Sequence, residues 1–168
     1  LLNSQAEAVR AQDPDAAQEL FQKALSELED TVQIRRTFFQ AWTEKARTEI
    51  FLRKYDDALE SAERAYQQNP RNIIAIRILM ETTADEWRRA IKDQDPILAE
   101  RVAKKTYLLA QRALRLQPGY PRAEMLILEY LSRYKPEEAI QERTALLERN
   151  PKDSNNLLAI IRIYQRQN

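Results

Sequence analysis

Apolar residues recur at spacings of three and four along almost the whole chain, with charged and amide residues filling the opposite side of each helical wheel. Residues 1–12 carry a weak stripe of Leu2, Ala6, Val9 and Ala11. Asp13-Pro14-Asp15 breaks it and restarts the chain, with Asp13 as N-cap and Pro14 at the first helical position. Ala17, Leu20, Phe21, Ala24, Leu25 and Leu28 then form a clean amphipathic helix, and residues 29–31 read as its connector. Ile34, Phe38, Phe39, Trp42, Ala46, Ile50 and Phe51 predict one long helix from about Val32 to Leu52, with Phe38 and Phe39 packed in the core.

Lys54 to Asp57 falls where a tight turn belongs, and Ala58, Ala62, Ala65 and Tyr66 make the next stripe. Alanines at these spacings allow a neighbouring helix to come close. Asn69-Pro70 stops that helix, because the residue before proline is pushed out of the helical region. Residues 72–93 predict a helix along Ile73, Ile76, Met80, Thr83, Trp87 and Ala90. Asp95-Pro96 restarts the chain, and residues 97–117 follow with Leu98, Val102, Thr106, Leu109, Ala113 and Leu116. Tyr120, Ala123, Leu126, Ile127 and Tyr130 mark the next helix, and Pro136 opens its partner along Ala139, Ile140, Leu146 and Leu147. Asn150-Pro151 closes it. Asp153 or Ser154 caps a last helix whose stripe is Leu157, Ile160, Ile161 and Tyr164.

The stretch from Trp42 to Pro70 resembles a tetratricopeptide repeat, a helix-turn-helix unit of roughly 34 residues, through Trp42, Ala46, Tyr55, Ala58, Ala65 and Pro70. Lys45 and Glu49 stand where that pattern has a large apolar residue and an aromatic. The closing prolines are Pro70, Pro118 and Pro151; the last two are 33 residues apart and the first two 48. The excess is about 14 over the family period, or about seven residues in each helix. Seven residues are close to two turns, so facing stripes stay in register, and the expected hairpin projects on the order of 10 Å beyond its neighbours, with Trp87-Arg88-Arg89 near its tip. The resemblance implies an all-α fold: a right-handed superhelix of antiparallel helix pairs, an α-solenoid with one elongated repeat. Its units are 1–31 (degenerate), 32–71, 72–119, 120–153 and 154–168 (partial), in a single domain.

Composition removes several chemistries. Charged residues make up 32% of the 168 positions yet the net charge is +1, so no strong field draws in nucleic acid or an acidic membrane. The basic pairs Arg35-Arg36, Arg88-Arg89 and Lys104-Lys105 all have acids within a turn or two, and nucleic acid is not expected as a partner. One glycine rules out a phosphate-cradling loop. Without cysteine or histidine there is no disulfide, no thiolate site, and neither the commonest general base nor the commonest metal ligand. The carboxylate pairs Asp56/Asp57, Glu60/Glu63 and Glu137/Glu138 read as solvated helix faces. No enzyme activity, metal or cofactor is expected, and no apolar run reaches the roughly 18 residues of a membrane span. The chain starts Leu1-Leu2, which leaves any targeting segment open; a cytoplasmic and a bacterial envelope location both fit.

A repeat array of this kind binds a peptide or a partner protein in the concave groove lined by the first helix of each pair. The family pattern implies that the groove is set by Thr43, Arg47 and Ile50; by Arg77, Glu81 and Asp85; by Glu124, Leu128 and Leu131; and by Leu158, Arg162 and Gln165. Some members clamp a C-terminal carboxylate with paired Lys and Asn. Thr43 and Arg47 stand at the first of those positions, so that clamp is absent. The expectation is a protein-binding scaffold supporting complex assembly. The alternative is self-association into a homo-oligomer through the long hairpin or the last helix, whose apolar surface wants a cover from further chain or from a second copy.

Overall fold

The computed structural model describes residues 2–167, and among them there are nine α-helices and no strand. They are α1 (Leu2–Val9), α2 (Pro14–Ile34), α3 (Phe39–Phe51), α4 (Tyr55–Gln68), α5 (Ile73–Lys92), α6 (Pro96–Leu116), α7 (Pro121–Tyr134), α8 (Pro136–Arg149) and α9 (Ser154–Gln167). Side-chain caps start several of them. Asp13 accepts from the Ala16 amide (3.0 Å), Asp95 from Leu98 (2.9 Å) and Asp153 from Asn156 (3.1 Å), each satisfying an amide that has no partner in the first helical turn. Three helices end alike: Asn69, Gln117 and Asn150, each before a proline, have φ of −136°, −137° and −138°. That extended backbone is what the proline ring imposes on its predecessor.

One expected boundary is wrong. The helix foreseen from Val32 to Leu52 is two helices: α2 runs on through residues 29–31 to Ile34, and α3 begins at Phe39. The break at 35–38 has no proline or glycine to announce it. It is held by tertiary bonds to the Arg36 carbonyl, which accepts from Trp42 Nε1 (2.9 Å) and Gln68 Nε2 (2.6 Å). Phe38 therefore lies at the break and is exposed, and Phe39 is only half-buried.

The chain divides into two compact units, one ending at Thr82 and one beginning at Thr83, so that the division falls inside α5. In the first unit α1 packs on α2, α2 on α3 and α3 on α4. Arg64 lies over the Trp42 ring (5.8 Å) and Lys45 reaches Ser61 (3.2 Å); residue numbers that rise on α3 as they fall on α4 mark an antiparallel pair. Ala58, Ala62 and Ala65, all buried, form the close face of α4. Phe21 stacks on Phe51 at 4.6 Å beside Ala6 and Ala17. Lys45 and Glu49, the two departures from the repeat pattern, pair with each other one turn apart. Glu49 is 1% exposed, so an ion pair occupies the place of two apolar residues.

In the second unit α6 packs on α7, α7 on α8 and α8 on α9. Its core joins Trp87 and Ala90 with Ala99, Val102, Ala103, Tyr130, Leu131, Ala139 and Ile163. Tyr107, Tyr130 and Tyr134 form a ladder of rings at 4.4 and 5.1 Å. The long hairpin expected from the proline spacing is present as helix length: α5 has 20 residues and α6 has 21, against 14 in each of α7, α8 and α9. Trp87, five residues before the end of α5, is 1% exposed and belongs to this core. The last helix is rotated from expectation. Ile163 is its buried residue, while Leu157, Ile161 and Tyr164 face solvent.

Candidate functional site

In the first unit the residues expected to line a groove are largely spent within the fold. Thr43 is buried, donates to the Phe39 carbonyl (2.8 Å) and accepts from Asn72, whose own Oδ1 caps the start of α5. Arg47 is held between Glu7 of α1 (2.9 Å) and Glu44 of its own helix (3.1 Å). Glu44 accepts in turn from Asn3, and Thr48 donates to the same Asn3. Charge on this face is therefore neutralised from within. Ile50 is partly exposed, Arg77 is exposed and Glu81 is half-buried.

In the second unit the foreseen residues scatter. Asp85 is exposed and pairs with Arg88 (2.7 Å). Glu124 is exposed, Leu128 half-buried, and Leu131 belongs to the core. Leu158, Arg162 and Gln165 are exposed on α9. Of these, Arg162 borders a cleft.

That cleft, of about 360 Å³, is built from one arc of each of three helices and one residue of a fourth. Trp87 and Ile91 come from α5; Met125, Glu129, Ser132 and Arg133 from α7; Arg143 from α8; Ala159, Arg162, Ile163 and Arg166 from α9. The spacings of three and four within each helix place these side chains on one face. Four arginines and one glutamate thus line the cleft. Among the described residues Arg133, Arg162 and Arg166 have no ion-pair partner. Arg143 is positioned firmly: its two terminal nitrogens reach Asn156 of α9 (2.8 Å) and Ser132 of α7 (3.4 Å). Burial lowers its affinity for the proton, and the nearby Asp153 carboxylate works against that shift. Two of the lining residues carry a buried donor, Trp87 Nε1 and Arg143 Nε, that meets no acceptor among the described residues. Chemically the cleft offers directed N–H donors and positive charge beside the apolar surfaces of Ile91, Met125 and Ala159.

Sequence reasoning missed all of these except Arg162. The expected set on α7 was Glu124, Leu128 and Leu131; the cleft uses Met125, Glu129, Ser132 and Arg133, in the main one position on. One residue along a helix is a rotation of about 100°. The usable signal was the i, i+4 and i+8 run Met125, Glu129, Arg133 together with the pair Arg162 and Arg166. Among the described residues no cluster of acidic side chains could hold a metal ion, and no helix is long and apolar enough to cross a membrane. No protein-family model and no curated protein matches the chain.

Proposed function

We propose that the chain is a non-enzymatic interaction module of the tetratricopeptide-repeat kind, an α-solenoid scaffold that binds a partner protein or peptide through the cleft of its second unit. Three features support the repeat reading: helices of 13 or 14 residues packed on their sequence neighbours, three proline-closed ends of common geometry, and one hairpin lengthened by two turns. The observation that carries the functional reading is the cleft bordered by α5, α7 and α9, where Met125 is exposed and the solvent-facing Arg133, Arg162 and Arg166 have no ion-pair partner among the described residues. Surface of this mixed character, with buried donors left over, is what recognition of another chain uses.

The test uses the whole chain as bait in source-cell extract, followed by reconstitution with each purified candidate. The expected result is a defined complex that re-forms from pure components and is lost with Met125→Glu/Arg162→Glu, while helicity is unchanged. A complex that survives this double substitution places recognition elsewhere and defeats the reading.

A second reading rests on α9. Leu157, Leu158, Ile161 and Tyr164 are each between 43% and 52% exposed. Apolar surface in such a run favours association of two copies, and this would make the protein a structural assembly element.

A further inference from the structure

We infer that the cleft between α5, α7 and α9 is a receptor for an acidic peptide segment, one that presents at least two Asp or Glu side chains next to an apolar residue. The inference deepens the reading of this face as the partner-binding surface and rests on it.

Charge sets the first requirement. Arg133, Arg143, Arg162 and Arg166 face only Glu129 in the lining, and Asp153 lies near Arg143. Three arginines outside the cleft are balanced at close range: Arg47 by Glu7 and Glu44, Arg64 by Glu60, Arg88 by Asp85. The cleft gathers four arginines beside a single glutamate. A single terminal carboxylate would leave most of that charge unmatched, so a segment with several acidic side chains is the better complement. Arginine suits the task because its planar fork meets a carboxylate with two parallel bonds.

The second requirement is an acceptor at depth. Trp87 is 1% exposed and its indole N–H has no acceptor among the described residues, nor has Arg143 Nε. A buried donor without a partner carries a desolvation penalty that an incoming oxygen removes. A carboxylate is acceptor only, with room for several bonds, and both groups donate. Ile91, Met125 and Ala159 supply the apolar wall for the neighbouring side chain.

Nucleic acid fits less well. Its affinity comes from many phosphate contacts along a continuous basic track. Here the cleft is about 360 Å³ and the chain as a whole carries only +1.

The experiment is selection of a random nonapeptide phage library on the purified full chain, followed by anisotropy titration of the enriched peptide. Asp and Glu should be enriched beside Leu, Ile, Val or Met. Replacing the acidic residues by Asn and Gln should weaken binding about tenfold or more, as should Arg133→Glu/Arg162→Glu, whose side chains are exposed and whose folding is checked by circular dichroism. In a Trp42→Phe background, binding should also shift the emission of Trp87, the one tryptophan left. Absence of acidic enrichment, or equal binding by the amide analogue or by the double variant, overturns the proposal, and so does tighter binding of oligo-dT than of the peptide. If apolar or basic peptides are selected and are lost with Met125→Glu, the face is still partner-binding and only its acid preference has failed.

Discussion

Lys45 and Glu49 show how a local rule can be broken twice and still hold. Each would be a fault alone in a helix packed this closely, and together they neutralise each other, with Ser61 as a further acceptor for the ammonium. Removing one partner leaves the other charge buried. Lys45→Met is therefore expected to cost about 3 kcal/mol, while Lys45→Met/Glu49→Met recovers most of it. Urea unfolding of the four proteins in the cycle checks this; a double variant no better than the single one refutes the coupling. Tyr130 gives a pH effect at the same scale. Burial raises its pKa above the ordinary value of 10.0, with Lys135 opposing. The folded state then holds its proton at pH values where the unfolded chain has released it. This contribution is intact below pH 10 and is lost as pH rises beyond it. Unfolding measured at pH 8 and near pH 11 should show a fall that is reduced in Tyr130→Phe.

The ends of the elements were the most legible feature of the sequence, because proline and capping aspartate act locally. Asp13, Asp95, Pro70, Pro118 and Pro151 mark helix boundaries without any knowledge of the fold. The break after Ile34 was not legible, since it depends on Trp42 and on Gln68, 32 residues away from the carbonyl it binds. The rotation of α9 was not legible either. Apolar residues occupy so many of its positions that the pattern admits more than one inward face, and the Asn156 bond to Arg143 and the burial of Ile163 decide among them. Two helix ends also adopt a conformation that their residues do not favour. Arg53 (φ 60°) follows α3 and Gln94 (φ 57°) follows α5. The next amides, of Lys54 and Asp95, return to the carbonyls of Glu49 and Ala90, which is a Schellman closure. Glycine is the residue this position prefers, so Gln94→Gly should stabilise by about 0.5 kcal/mol, the relief of left-handed strain outweighing the added freedom of the unfolded chain. Gly119→Ala should do the reverse by about 1 kcal/mol: its φ is 74°, and nothing within 4 Å of an added methyl makes this a matter of space. Equal melting midpoints for wild type and either variant would contradict the account.

At the scale of the whole molecule, α9 serves two surfaces. Ala159, Arg162, Ile163 and Arg166 turn to the cleft, while Leu157, Ile161 and Tyr164 form a separate solvent-facing stripe at spacings of four and three. With a net charge of +1, there is little long-range repulsion to keep two such stripes apart. The weight-average mass from sedimentation equilibrium is thus expected to rise with protein concentration, and Leu157→Glu/Ile161→Glu should hold the protein monomeric. Because those substitutions lie on the side of α9 away from the cleft residues, binding of the selected acidic peptide should change less than twofold, a difference of about 0.4 kcal/mol. Each surface can then fail by itself. A mass that stays monomeric at millimolar concentration removes self-association and leaves the cleft intact. Association that persists in the double variant, but disappears on adding the acidic peptide, would mean instead that the cleft is what joins the copies, with an acidic stretch of one chain held by the arginines of another.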